Sequence, residues 1–375
     1  MRRRAFDIGV IGGGPAGTTA ATLLARIGAS VLLLEASDYR GSSLGQTLSP
    51  LIDQHLTRLD LRRHLVRQGY IPAPGIVSVW GSREPRVKDF LLGVDGSGWQ
   101  VDRTAFDRML ASGAARAGAT VRVGSRVLRA PRRSRESWEL ELACQGKRCE
   151  YDCRFLIDAT GRSGASCLAP LSSRVVLDRL IGVIWTGGQS GDWPYTLIES
   201  VDDGWFYAAN LPGGRATVAY MTDSDLYRGG SRHRSELWRR QLNKTTYTRG
   251  RLPRNADLSK LRIVSAASTI RLNPVGHGWC ALGDAAMSHD PLSGLGVHHA
   301  LESAFQLAAY ASQHLLDDKP PGAYRDWLMN TIDRYLVARH RYYAMERRWG
   351  SSTFWQRRMT LTTIRPGMRP GLHRD

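Results

Sequence analysis

Six residues near the start of the chain, Gly12-Gly13-Gly14-Pro15-Ala16-Gly17, form a GxGxxG pattern, and an acid, Glu35, follows 18 residues after its last glycine. That spacing suits dinucleotide recognition. Gly12 permits the tight turn, Gly14 lets backbone approach a pyrophosphate, Gly17 lets a helix pack on a strand, and Glu35 is placed for a ribose hydroxyl pair. Pro15 and Ala16 would open the helix whose amides face the anion. An acid at position 35, in place of an arginine, suits an adenosine without a 2′-phosphate and leaves FAD and NAD both open. A second group lies some 270 residues on. Gly283-Asp284 ends one apolar run, and Pro291-Leu292-Ser293-Gly294-Leu295-Gly296 leads into another. A glycine-preceded helix start offers amides to the electron-rich edge of a flavin, and Asp284 could accept from a ribityl hydroxyl. Between the two, Asp158-Ala159-Thr160-Gly161 ends a further apolar run. These three pieces, in this order, favour FAD. His289, His298 and His299 flank the presumed flavin turn, and His298 is the candidate proton handler.

The elements that would position these groups follow from apolar patterning. Phe6–Ile11 reads as a buried strand, 18–27 as a helix stopped by Gly28, and 31–34 as a second strand, so a complete βαβ unit encloses the glycines. Residues 155–158 and 279–282 read as strands and 297–316 as a long alanine-rich helix. From Pro170 to Ile263 short alternating runs, with Leu211-Pro212-Gly213-Gly214 between two of them, predict antiparallel hairpins. By the two-residue period Trp205, Tyr207 and Ala209 share one face and Phe206 and Ala208 the other. Residues 223–243 are polar and predict a loop leading into a short helix at 234–242. After Pro320-Pro321-Gly322 a long amphipathic helix runs from Tyr324 to about Trp349, apolar at Trp327, Leu328, Ile332, Tyr335, Leu336 and Tyr343 and arginine-rich opposite.

The chain's 375 residues, 42% apolar and 23% charged, are enough for two or three structural units and exclude one small module. No run of 18 uninterrupted apolar residues occurs, so no membrane-spanning helix is expected. The net charge is +18, carried by 47 arginines and only 5 lysines. Seven arginines fall in 116–135 without an acid, and ten in 334–374 against Glu346 alone. Arginine-heavy usage spread over the chain needs no ligand, while the clustering fits an acidic partner, an anionic peptide or protein or an anionic cofactor; no motif for reading nucleic acid accompanies it. The five cysteines lack zinc-site spacing and read as reduced thiols, so no metal is expected. The Met1-Arg2-Arg3-Arg4 start imitates a secretory signal, but cleavage would remove the glycine motif, and a cytoplasmic enzyme is the expectation.

The order GGGPAG, GQTLSP (45–50), GWQVDRTAFDRML (98–110), DATG (158–161), LGDAA and DPLSGLG resembles the flavin-dependent monooxygenases over nearly the whole chain. Within them it is similar to the branch of tryptophan halogenases and of flavoproteins that hydroxylate peptide- or protein-bound tryptophan, including those maturing tryptophylquinone cofactors. Gly45–Pro50, Val79-Trp80-Gly81-Ser82 and the segments at 346–349 and 354–358 carry that likeness. The resemblance implies an α/β fold: a Rossmann-like FAD domain of the p-hydroxybenzoate hydroxylase kind (1–75, 98–169 and 264–320), an antiparallel substrate domain (76–97 and 170–263) and a basic helical segment (321–375). It adds Ala36, Gln46 and Arg103 to the cofactor residues and Trp80, Trp205 and Tyr207 to a substrate pocket. It implies oxygen transfer from O2 through a flavin C4a-hydroperoxide, in a dry pocket, to an indole ring. No second dinucleotide motif occurs, so NAD(P)H would reduce the flavin directly or through a separate reductase. Two departures weigh against halogenation. The Gly-Trp-x-Trp-x-Ile-Pro signature is broken at Gly204–Pro212, where Tyr207 stands for the second Trp, and Ser293 occupies the place of the halogenase glutamate. The halogenases' lysine would fall near Ser78, and Lys88 is the one lysine nearby. Hydroxylation of tryptophan in a peptide or protein is therefore the expected activity, with a halogenase or a non-catalytic flavin-bearing binding protein as alternatives.

Overall fold

A computed structural model describes residues 4–40, 45–90, 96–134, 137–144, 146–163, 172–314 and 320–360. The ends of both arginine clusters (Arg135 and residues 361–375) and Cys167 lie outside these residues. The helices are α1 (Pro15–Arg26), α2 (Ile52–Arg58), α3 (Arg62–Arg67), α4 (Arg103–Arg116), α5 (Ser231–Asn243), α6 (Gly296–His314), α7 (Gly322–Ala344) and α8 (Thr353–Met359).

The apolar run at the N-terminus forms the strand Arg4–Ile11, central in a nine-stranded sheet. It pairs in parallel with Val31–Leu34 on one side and Lys147–Asp158 on the other, and Trp279–Ala281 continues the parallel set beyond Asp158. Ile8, Val10, Leu32 and Leu33 are fully buried in a core that includes α1 residues and Leu140 and Leu142 of the strand 137–144, each contributing about 1.5–3 kcal/mol from removed apolar surface. Parallel strands covered on both faces lose their alternation, which is why the sequence shows unbroken apolar runs here. The register of Ile11 with Asp158 and Leu34 brings the carboxyl ends of these strands together at one edge.

A second sheet holds seven strands in the order 262–265, 180–188, 215–223, 204–211, 196–201, 75–79 and 86–89. It is antiparallel except that 196–201 and 75–79 run parallel, a pairing that the hairpin pattern did not reveal because the partners are far apart in sequence. The predicted faces are as observed. Phe206 and Ala208 enter a core with Trp185, Tyr220 and Trp238, while Trp205 and Tyr207 turn to the opposite side with Ala219 and Met221.

Residues 223–243 are more ordered than their polarity predicts. Asp223 closes a strand, and α5 begins at Ser231, its Trp238 buried and donating through Nε1 to the carbonyl of Val183 at 3.0 Å. Helix α7 ends at Ala344, five residues before the expected stop, where the Glu346 carboxylate reaches back to the Gly81 amide (2.8 Å) and the Ser200 hydroxyl (2.6 Å) and ties the chain to the second sheet. Helices α7 and α8 are pinned further by buried ion pairs, Arg339 with Asp178 (2.8 Å) and Arg358 with Asp223 (2.7 Å). No helix among the described residues is long and apolar enough to cross a membrane.

Candidate active site

The groove at the carboxyl ends of the parallel strands has a volume of about 660 Å³, on the scale of a cofactor site. Gly12, Gly14, Pro15, Ala16, Glu35, Gln46, Arg103, Gly161, Asp284, Pro291, Gly294 and Gly296 line it. Each glycine has its own reason. Gly12 has φ +109°, and a Cβ there would lie 2.3 Å from the Ala159 carbonyl oxygen; Gly14 has extended backbone and open space where a Cβ would go. Gly17 does not line the groove; it lets α1 pack close to the preceding turn, where a Cβ would lie only 1.9 Å from the Gly12 carbonyl oxygen. The Glu35 carboxylate accepts from the amides of Gly13 (2.6 Å) and Ser37 (2.7 Å), which fixes it at the rim. Arg103 donates to Gln46 at 2.7 Å and pairs with Asp107 at 3.3 Å, so residues from separate strands and helices act as one polar wall.

Several expected cofactor residues stand elsewhere. Asp158 is fully buried and away from the groove wall: one oxygen accepts from Thr160 N (3.1 Å) and Oγ1 (2.7 Å), the other from Arg271 Nη2 (2.7 Å). It shapes the turn that carries Gly161. Gly283, at φ +53°, lets the turn approach Ala16, where a Cβ would lie 2.8 Å from that side chain. Ala36 is exposed beyond the rim. Leu295 faces a different cavity.

Arg162 organises the flavin-turn side. Its Nε pairs with Asp284 Oδ2 at 3.1 Å, Nη1 donates to Ala267 O at 3.1 Å, and Nη2 donates to the His289 carbonyl. Arg174 in turn donates to the carbonyls of Arg162, Gly161 and Ala285 at 3.1 Å each. Asp284 Oδ1 is buried without a hydrogen-bond partner in this structure. Burial pushes its carboxyl up, against the pull of Arg162 and Arg103. A buried acceptor without a donor, above a cradle in which Gly14 leaves room, fits a polyhydroxylated pyrophosphate ligand such as FAD. Arg162 and Arg174 were not singled out from sequence, because nothing linear separates them from the chain's other arginines.

A second cavity of about 650 Å³ adjoins the groove, and His289 and Asp290 line both spaces. Aromatic side chains wall it: Trp327, Tyr335, Tyr342 and Tyr343 from α7, with His299 stacked on Trp327 at 5.6 Å between ring centres. Asp290 is tied to this wall, accepting from Tyr343 Oη at 2.8 Å, with Arg339 Nε at 3.5 Å, while Tyr335 Oη accepts from the Asp290 amide at 2.8 Å. His298 lines the second cavity and not the groove, whereas His289, four-hundredths exposed and edge-on to Tyr335, stands at the junction. Its Nδ1 has no hydrogen-bond partner. Burial, then the neighbouring His299, holds the His289 imidazole neutral, well below its ordinary range. His289 thus has the position expected of His298, because the turn before α6 aims it inward.

The expected substrate-pocket aromatics divide. Tyr207 lines the groove and its hydroxyl accepts from the Thr47 amide at 3.0 Å. Trp80 and Trp205 line neither space. They pack edge to face at 6.3 Å in a core with Trp355 and Tyr343, Trp80 Nε1 donating to the Tyr342 carbonyl at 2.9 Å. The C-terminal helices cover the face that the sequence left open.

Residues 7–175 match the model of the FAD dependent oxidoreductase family. Among curated proteins, the chain is 29% identical over 368 residues to the putative FAD-dependent oxidoreductase LodB of Marinomonas mediterranea, covering 96% of this chain and 98% of that one. It is 27% identical to the tryptophan 2-halogenase of Chondromyces crocatus, covering 80% of this chain but only 60% of that relative's length. Among solved structures, the myxobacterial chondrochloren halogenase CndH superposes with TM-score 0.83 at 24% identity over 96% of this chain and 87% of that one. The peptidyl tryptophan dihydroxylase QhpG, essential for tryptophylquinone cofactor biogenesis, superposes with TM-score 0.79 at 24% identity over 96% and 80%. The glycine cradle and the fold, with these likenesses, mark this chain as an enzymatic flavoprotein, an FAD-dependent oxidoreductase similar to the halogenases and hydroxylases just named.

Proposed function

We propose that this flavoprotein hydroxylates the indole ring of a tryptophan held in a peptide or protein. The observation that carries the reading is the aromatic-walled cavity that shares His289 and Asp290 with the cofactor groove. An indole is large, flat and apolar with one polar handle, and rings that stack or meet edge to face suit it. The likeness to QhpG supports the choice of substrate.

In this reading Gly12, Gly14, Glu35, Arg103 and Asp284 hold FAD, which when bound supplies an electrophilic oxygen derived from O2, with electrons from NAD(P)H directly or through a reductase. The protein's own part is placement, dryness and proton handling. Tyr343, Arg339 and Tyr335 fix Asp290 and with it the turn between the two spaces. Ile184, Ala219, Met221 and Val264 give the groove an apolar wall on the second sheet, which excludes water from the reacting centre. Neutral His289 accepts at Nδ1 the proton that the substituted ring carbon releases.

One observation favours a second reading, halogenation: Lys88 lies at the second cavity. Both are tested by the intact mass of tryptophan-containing peptides after incubation with the protein, FAD, a flavin reductase and NADH, with and without chloride or bromide. Halide-independent gains of about 16 mass units per oxygen are expected; a halide-dependent gain would establish the halogenase, and unchanged peptides would refute both.

A further inference from the structure

The second cavity is aromatic inside and basic at its mouth. Arg339, deeper in, is neutralised by Asp178 at 2.8 Å and Asp290 at 3.5 Å, and Glu302 is engaged by Gln306 at 2.7 Å and faces His55 at 3.3 Å. Among the described residues, two cations on different elements remain without a carboxylate within 4.0 Å. One is Lys88, on the exposed strand 86–89. The other is Arg334 on α7, whose guanidinium donates to Asn330 O and Thr331 Oγ1, both at 3.3 Å. Both are exposed, so holding them apart from acids costs little, and both border the entrance an aromatic side chain would use.

We propose that Lys88 and Arg334 select a polypeptide in which an acidic residue stands next to the target aromatic. This rests on the proposed peptide-directed function and specifies the class of sequence it accepts. The aromatic ring enters among Trp327, Tyr335 and Tyr343, and the neighbouring carboxylate meets the two cations at the rim. Exposed pairs of this kind are individually weak and sensitive to salt, so they discriminate among substrates instead of anchoring them.

The test uses the full chain with FAD and three peptides that differ only beside the tryptophan, carrying Glu, Ala or Lys. Binding is read by fluorescence anisotropy of labelled peptide and turnover by product mass. The Glu peptide is expected to bind about three- to tenfold more tightly than the Lys peptide at low salt, and less so at high salt. In the double variant Lys88→Glu, Arg334→Glu the order is expected to reverse. Equal affinity for the three peptides, or an unchanged order in the double variant, would overturn the proposal. If the acid preference and its reversal are present but no peptide gains mass, the selectivity stands and the hydroxylase reading falls. If all three are oxygenated equally well, the hydroxylase reading stands and the selectivity falls.

Discussion

Gly14 and Gly17 are three residues apart in one motif, yet they should fail in different ways when given side chains. Gly14 precedes α1 at φ −72°, ψ −176°, extended backbone open to any residue, and a Cβ there would meet nothing within 4 Å. In Gly14→Val the protein therefore keeps its fold. The loss is that of exchanging an acceptable helix cap for a poor one, at most about 1 kcal/mol, and the melting temperature falls by about 2 °C. The new methyls occupy groove volume that the pyrophosphate needs. Overpacking of about 1–3 kcal/mol on bound ligand weakens FAD binding by roughly 5- to 150-fold. Gly17→Ala meets the opposite situation: its Cβ would sit 1.9 Å from the Gly12 carbonyl oxygen and 3.1 Å from Ala159 Cβ. Backbone cannot swing away as a side-chain tip can, so α1 must lift from the sheet, costing about 3 kcal/mol or more. FAD titration of the apo-proteins by flavin fluorescence, with circular-dichroism melts of the same samples, separates the two effects. Wild-type FAD affinity in Gly14→Val would refute the cofactor assignment, and an equally large melting shift in both variants would refute the claim that Gly14 is free of packing duty.

Three further outcomes follow from buried groups. Arg271 and Asp158 are 2% and 0% exposed and 2.7 Å apart, so Arg271→Met should cost about 3–5 kcal/mol by stranding a buried carboxylate, and a denaturant midpoint near wild type would contradict the pairing. Tyr343→Phe removes a hydroxyl that donates to Asp290 and accepts from Trp205 Nε1 at 3.3 Å; we expect a loss of about 1.5–3 kcal/mol and a changed flavin visible spectrum, and a spectrum identical to wild type would separate Asp290 from the flavin turn. Burial, with His298 nearby, holds His299 down at about 3, and His289 is depressed as well. Because both accept protons more readily when unfolded, stability is full above about pH 6.5 and falls as the medium is acidified, by up to about 2 kcal/mol per histidine at pH 5. Melting temperatures from pH 7.5 to 5 should show this slope, and His299→Gln should lessen it while His289 keeps its share; an unchanged slope would refute the attribution.

Local patterns in the chain determined the cofactor cradle. The runs 4–11 and 31–34 are buried on both faces, the helix between them starts with proline, and Gly12 and Gly17 answer contacts made within about 20 residues of sequence or against one neighbouring strand. Short-range geometry of this kind leaves its mark on residue type and spacing. The two-residue alternation likewise set which face Phe206 takes and which Tyr207 takes, but not what would cover each. That was decided by α7 and α8, which arrive more than 110 residues later and bury Trp80 and Trp205 while leaving Tyr207 at the groove. Tertiary structure also decided which charges matter. Arg162, Arg271 and Arg339 differ from the other arginines only in the carboxylates and carbonyls that folding places beside them. The exchange of His298 for His289 has the same origin: two histidines nine residues apart look alike along a chain, and only the path of the turn before α6 sets one at both cavities and the other at the second alone.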